Sequence, residues 1–335
     1  MPPSGSWNDK INDIVFAGTR LPEEFTIGLA EPQTEVSVWL HGMGAPRDVT
    51  LRQTTACTAP LTICIAFHAG ELPGELAGRG ALLKFCERAG SRVLGEIRLW
   101  FAEAVVMGGS EFAFFEVRGS SNYCLPRLRL WAHYAVQARA QWRRNDPADI
   151  RMTLVEQRAA MVTFTRPHFL RLVSVGDRRD GNIFPMNLMS DLGNGYWGLA
   201  LREQRRASHL VRRAGRIAVS GIPTSRCPVA FRLVENHKKD SIDWAGLPFE
   251  TSESAEFGIP VPSFATRVRE MQIEKDFRLG SHVFFIARVI SEDVRADEEQ
   301  ACVVHGFYQF CRVGGERERL RIALAEDALH KGGRS

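Results

Sequence analysis

The clearest chemistry sits at one step of the chain. Arg202, Arg205, Arg206, Ser208 and His209 lie at the step from an apolar run, 196–201, into a short amphipathic stretch, 205–214. A strand-to-helix step of this composition suits an anion. The free amides and dipole of a helix N-terminus favour negative charge, and guanidinium groups pair bidentately with phosphate or carboxylate. A basic surface turn is the alternative for any one of these arginines; as a group they favour an anion site. Other familiar sites are missing from the sequence. No Gly-x-Gly-x-x-Gly leads a strand into a helix, and the glycine-rich run 74–84 lacks the spacing and the Lys-Ser/Thr ending of a phosphate loop. There is no His-Glu-x-x-His, Gly-x-Ser-x-Gly or Cys-x-x-Cys-His either.

Composition narrows the classes further. The 335 residues are 44% hydrophobic and 24% charged, with a formal net charge of +4. That supports a sizeable core and about two domains. A charge of +4 is too dilute to be the footprint of a nucleic-acid binder. The seven cysteines include no Cys-x-x-Cys pair, which argues against a disulfide framework or zinc ribbon and suits a reducing compartment. No apolar run reaches the ~18 residues of a membrane span, and residues 1–9 do not read as a signal peptide. The expectation is a soluble cytoplasmic protein with no bound metal.

The elements that must position these residues are mostly strands. Short apolar or alternating segments at 36–40, 61–67, 111–117, 169–175, 196–201, 216–222, 229–234, 282–290 and 303–313 suit strands. Helices are predicted at 80–89 and 205–214, each followed by a glycine, and at 127–144, a basic stretch ending in Asn145-Asp146-Pro147. The fold class is mainly β with a few helices, a barrel or sandwich. An internal repeat relates 36–97 to 169–222: strand, glycine-bearing turn, polar loop, strand, short helix ending in Arg-Ala-Gly, strand. The predicted organisation is an N-terminal arm (1–30), a first β domain (31–125), a connecting helix and turn (126–150), a second β domain (151–315) and a C-terminal helix and tail (316–335).

Four pieces of the second half carry a resemblance, in order: Asp180-Gly181-Asn182-Ile183-Phe184-Pro185-Met186-Asn187-Leu188-Met189; Tyr196-Trp197-Gly198-Leu199-Ala200-Leu201-Arg202 with the helix at 208–214; Leu279-Gly280-Ser281-His282-Val283-Phe284-Phe285; and His305-Gly306-Phe307-Tyr308. Over 166–313 the chain resembles the flavin reductase-like family, whose fold is the FMN-binding split β-barrel. The first half is a degenerate copy, so two tandem barrels would form an intrachain pseudo-dimer. The resemblance implies that FMN lies at a dimer or pseudo-dimer interface. Asn182, Asn187 and Ser190 would then meet the polar edge of the flavin ring, with Phe184, Pro185 and Met189 beside it. Arg202, Arg205, Arg206, Ser208 and His209 would hold the phosphate. An ordered turn whose asparagines cap strand ends is the alternative for the first group. His305 is a candidate proton donor near flavin and nicotinamide, against the simpler role of a core histidine. His282 occupies a position that is commonly structural in the family, with Ser281 in place of its usual Asp.

The function expected from this resemblance is an FMN-dependent oxidoreductase. It would use NADH or NADPH and pass electrons to a free flavin, oxygen or a small organic substrate. The stretch 48–57 lacks the Phe-Pro-Met-Asn sequence, which predicts one good flavin site rather than two. The other reading is a split-barrel ligand-binding or assembly protein without reductase activity. The segment 240–264 is expected to be a long loop shaping access to the ring.

Overall fold

The computed structural model describes residues 24–30, 35–72, 80–88, 92–143, 150–307 and 322–323. It is mainly β with a few helices. The strands β2 (Val36–His41), β3 (Arg47–Asp48), β4 (Gln53–Thr58), β5 (Leu61–His68), β6 (Gly80–Glu87), β7 (Val93–Met107) and β8 (Ser110–Asn122) form one sheet in the order β3-β2-β6-β7-β8-β5-β4. The strands β10 (Arg171–Val175), β11 (Asn182–Met186), β12 (Met189–Gly193), β13 (Tyr196–Arg202), β14 (Arg216–Gly221), β17 (Arg267–Leu279) and β18 (His282–Val294) form a second, in the order β11-β10-β14-β17-β18-β13-β12. Each order is the same permutation of its own chain sequence: second, first, fifth, sixth, seventh, fourth, third. In each sheet the edge strands are consecutive in the chain yet lie at opposite ends of the order, so each sheet curls into a split half-barrel.

Three apolar clusters explain why the sheets curl and meet. Val38, Leu83, Phe85, Ile97 and Phe115 fill the first barrel, closed at one end by Ala159 and Val162 of helix α2 (Leu154–Thr163). Val173, Phe184, Leu199, Ile217, Met271 and Phe285 fill the second. A third cluster joins the outer faces: Ala56, Cys64, Ala66, Phe112 and Phe114 pack on Leu192, Tyr196, Ala200, Phe284 and Ile286. Phe114 lies 5.0 Å from Phe277 and 5.6 Å from Phe284, ring centre to ring centre, and Phe112 lies 5.3 Å from Tyr196. Two turn contacts flank this seam in matching positions. The β4–β5 turn meets the β17–β18 turn through Ser281 N–H to the Ala59 carbonyl at 2.9 Å. The β12–β13 turn meets the β7–β8 turn through Asn194 Nδ2 to Ser110 Oγ at 2.8 Å. This is the isologous pattern of a two-fold interface, here within one chain.

Several expectations need correction. The predicted helix at 80–89 is strand β6 over its described part; Ala81, Leu83 and Phe85 alternate inward, which only a strand allows. The predicted strand at 229–234 is helix α4 (Cys227–Arg232), with Pro228 in its first turn, where a missing N–H costs nothing. The predicted strand at 303–313 is β19 (Gln300–His305); 308–313 lie outside the described residues, as do Gly90 and Asn145-Asp146-Pro147. The N-terminal arm contributes β1 (Glu24–Leu29), paired with β19 and with Ile322–Ala323. Apart from that two-residue strand, the expected C-terminal helix lies outside the described residues. The connecting helix forms as α1 (Arg127–Arg143), and the segment 240–264 is largely irregular, with a small hairpin. No helix among the described residues is long and apolar enough to cross a membrane.

Truncating a seam aromatic removes packing from both barrels at once. Phe114→Ala is expected to cost about 3–5 kcal/mol in equilibrium urea unfolding. A loss below about 1 kcal/mol would show that the outer faces do not form a packed core.

Candidate functional site

Strand β13 ends at Arg202, and helix α3 (Arg206–Ala214) begins four residues later. Gly215, at φ 66°, ends α3 in the left-handed conformation that favours glycine. The helix start is unusual. Arg205 is its N-cap residue but makes no side-chain capping bond, and no acidic residue stands in the first turn. Its dipole therefore meets neither a side-chain cap nor an acidic residue of the helix's own first turn. Arg202 and Arg205 are half-buried beside it, and Arg206 and His209 are exposed. Arg206 reaches Asp240 at 3.7 Å. Ser208 is buried, and its hydroxyl donates to the Arg205 and Glu203 carbonyls, so it organises the turn rather than facing outward.

The β12–β13 ladder pairs Met189 with Leu199 and Ser190 with Gly198 and continues through Ala200 N–H to the Leu188 carbonyl. Asn187 lies between β11 and β12, where its backbone is hydrogen-bonded by the His168 side chain. Asn187 and Ser190 are half-buried. The remaining expected ring-edge residues are engaged elsewhere. Asn182 is fully buried and donates to the Asn236 and Lys239 carbonyls at 2.9 and 2.8 Å. Phe184 and Met189 sit inside the barrel core, with the His237 ring 4.8 Å from Phe184. Pro185 is buried, and its carbonyl accepts from His237 Nε2 at 2.7 Å. The structure thus leaves Asn187 and Ser190 half-buried beside β12 and Arg202 and Arg205 half-buried at the strand-to-helix step, with Asn182, Phe184, Pro185 and Met189 inside protein packing. Asn236 and His237 were missed in the sequence; they act from some fifty residues away in a segment with no motif.

His282 pairs with Arg202 across β13–β18, and its Nδ1 lies 2.9 Å from Ser281 Oγ and 3.8 Å from Cys57 Sγ of the first half. Burial, reinforced by Arg202, pushes its pKa down to about 4. His305 is enclosed, with its ring 4.3 Å from Phe307 and 5.7 Å from His133, and accepts the Phe307 N–H through Nδ1. Burial, with His133, pushes it down to about 3, so it is neutral at pH 7 and sits in a core rather than an open cleft. Among the described residues the first half has no matching basic cluster. Lys84 lies on strand β6 and pairs with Glu96 at 3.6 Å, and Arg88 pairs with Asp48 at 3.5 Å.

No protein-family model matches the chain, and no curated protein matches it. Among solved structures, an FMN-binding protein from Thermus thermophilus with bound p-hydroxybenzaldehyde is 20% identical, with a TM-score of 0.35, over 38% of this chain and 72% of that one. The NADH:FAD oxidoreductase of Streptomyces globisporus is 16% identical, with a TM-score of 0.41, over 48% of this chain and 95% of that one. BorF, the flavin reductase component of a bacterial two-component tryptophan halogenase, is 15% identical, with a TM-score of 0.40, over 50% of this chain and 98% of that one.

The buried histidine gives a pH test. With a folded pKa near 4 and an unfolded value near 6.5, His282 binds more proton in the unfolded chain between those values. Its contribution favours folding above pH ~6.5 and is lost as pH falls towards 4, with a slope of up to about 1.4 kcal/mol per pH unit. Urea unfolding across this window should show a shallower pH dependence in His282→Gln than in the wild type. An unchanged slope would mean the imidazole is already protonated in the fold.

Proposed function

We propose that the chain holds a flavin along the edge formed by Asn187, Ser190, Arg202 and Arg205, and acts as an oxidoreductase of flavin reductase type. The observation that carries this reading is the uncapped N-terminus of α3 flanked by Arg202 and Arg205. It is an anion receptor at the end of a polar strip that runs along the pseudo-dimer seam. The residues present fit FMN at its phosphate end, where amides and guanidinium groups converge. At the ring end the fit rests on Asn187 and Ser190 alone.

The chemistry supplied by a bound flavin is hydride acceptance from NADH or NADPH and electron delivery to a free flavin, oxygen or a small organic acceptor. The chain's own contribution is placement. Arg205 and the α3 amides anchor the anionic tail, Arg206 and His209 lend exposed positive charge, and Asn187 and Ser190 orient the ring edge. The β4–β5 turn docked on Ser281 fixes one wall of the edge from the other half. The identical strand orders support reading the two halves as a duplication that replaces a homodimer. The basic cluster at α3, found in only one half among the described residues, supports a single site. A cytoplasmic location belongs to the same proposal.

A second reading has its own support. Asn182, Phe184, Pro185 and Met189, four of the six expected ring contacts, are committed to packing. That favours a split-barrel protein that uses the seam for another ligand or for assembly.

Titration with FMN separates the two. Arg202→Ala/Arg205→Ala should weaken binding at least about tenfold, as expected for loss of charge-assisted pairing. Wild-type protein that takes up no FMN, or a double variant with unchanged Kd, would overturn the proposed site. Asn187→Ala should shift the bound-flavin absorbance or potential at unchanged melting temperature; a loss of stability alone would assign Asn187 to the turn.

A further inference from the structure

We propose that one end of the second barrel is a binding site for a small oxyanion, a carboxylate or phosphate group, received by Arg171, Arg267 and Arg269. Strand register assembles it. Arg171 on β10 is opposite Gly221 on β14, which is opposite Arg267 on β17; Arg269 lies two residues further on the same face, opposite Val219. Val219 and Val173 belong to the barrel core, so the three guanidinium groups hang from the rim into one end of the barrel.

Arg171 is the anomaly. It is 2% exposed, its guanidinium lies 3.9 Å from the centre of the Phe169 ring, and Nη1 donates to Gln300 Oε1 at 2.5 Å. Among the described residues no carboxylate lies within ion-pair distance of it, and its Nε has no partner. A buried cation satisfied only by an amide and a ring is costly unless a counter-charge arrives. Thr266 Oγ1 and Arg267 Nε are likewise buried without a partner. These groups converge. A Cβ on Gly221 would lie 2.7 Å from Arg171 Nη1, 2.9 Å from Thr266 Oγ1 and 3.0 Å from Gln300 Oε1.

A graded path leads in. Glu292 at the rim is 37% exposed, and its Oε1 is shared by Arg267 at 3.2 Å and Arg269 at 2.9 Å. The side chains of Arg267 and Arg269 are 34% and 13% exposed. Arg269 also covers the Trp197 ring at 4.8 Å. Asp191 faces the same group, and burial holds its carboxyl above the usual range. An entering oxyanion competes with Glu292 for Arg267 and Arg269 and supplies Arg171 and Thr266 with the acceptor they lack.

The first barrel shows the contrast. Its matching row across first, fifth and sixth strands is Val38, Phe85 and Gly95. Helix α2 presses onto it, so that a Cβ on Gly95 would meet Val162 Cγ1 at 2.7 Å. One barrel end is sealed with methyl groups, and the other is lined with guanidinium.

The test is titration of the full chain with inorganic phosphate and, separately, acetate, at ionic strength held constant with chloride. It is read by melting temperature and tryptophan emission. Saturable stabilisation by either oxyanion with a change in emission is expected, since Trp197 loses or shifts its Arg269 cover. Arg269→Gln and Thr266→Val should weaken it, the former at least about tenfold. Arg171→Met removes the buried charge, should fold, and should abolish the response. The response should survive in Arg202→Ala/Arg205→Ala, which removes the α3 site. No saturable effect beyond chloride overturns the proposal, as does a response lost in that double variant but kept in Arg269→Gln.

Discussion

Everything in this fold depends on the apolar seam between the two curled sheets. Strands β5 and β13 are buried on both faces: the inner face lines a barrel, and the outer face meets the other half. A half-barrel with Phe112 and Phe114, or Tyr196 and Phe284, on its outside would expose a contiguous aromatic patch if it stood alone. Hiding it requires a partner with the same patch, and the chain supplies that partner itself. The T-shaped contacts of Phe112 with Tyr196 and of Phe114 with Phe284 set the approach of the sheets. The flanking turn contacts then hold the orientation.

With the seam fixed, the halves are free to differ at their ends. In the first, α2 fills the barrel mouth, and its capping box, Thr153 with Glu156, starts the helix firmly. Glu156 also accepts the Leu61 amide, tying the plug to β5. In the second half no helix among the described residues fills that position, and the core grades from Val173 and Val219 to Arg171 and Arg269. The chain therefore pairs a purely structural barrel with one that tolerates charge in its interior. Buried charge is retained at a cost to stability, and in the half that bears the α3 cluster Arg171 and Glu270 are both buried.

Much of this was legible in the sequence where the signal is local. The Arg202–Arg205–Arg206 cluster and the Gly215 cap lie within a few residues of each other, and their helix forms as expected. The double-sided burial of 61–67 and 196–201 shows as near-continuous apolar runs. The sequence misled where one pattern serves two structures. Residues 80–87 alternate, but the Arg-Ala-Gly that follows resembles a helix end; the neighbouring strands β2 and β7 decide the matter. Residues 229–234 are apolar enough for either element, and Pro228 decides for helix. The fate of Asn182 and Phe184 was not legible at all. Their partners, Asn236, His237 and Lys239, come from a later segment that only the tertiary fold brings back.

The two candidate sites share strands, and this constrains both. On β12, Ser190 turns to the outer edge while Asp191 turns inward; on β13, Gly198 faces the seam and Trp197 the barrel. Alternate residues of the same pair of strands thus serve the strip beside Arg202 and the charged mouth beside Arg269. Because the side-chain period of a strand is two, a slip of one residue would exchange the two environments entirely. The irregularity between Asp191 and Gly193 interrupts the ladder, and the Asp191 carboxylate accepts the Gly193 amide at 2.7 Å, which pins the register at the hairpin end. Asp191 consequently does two things: it closes the turn that docks on Ser110 across the seam, and it faces Arg269 in the barrel mouth. Charge at the mouth and packing at the seam meet in that one residue, so a change in either is felt first at the β12–β13 hairpin.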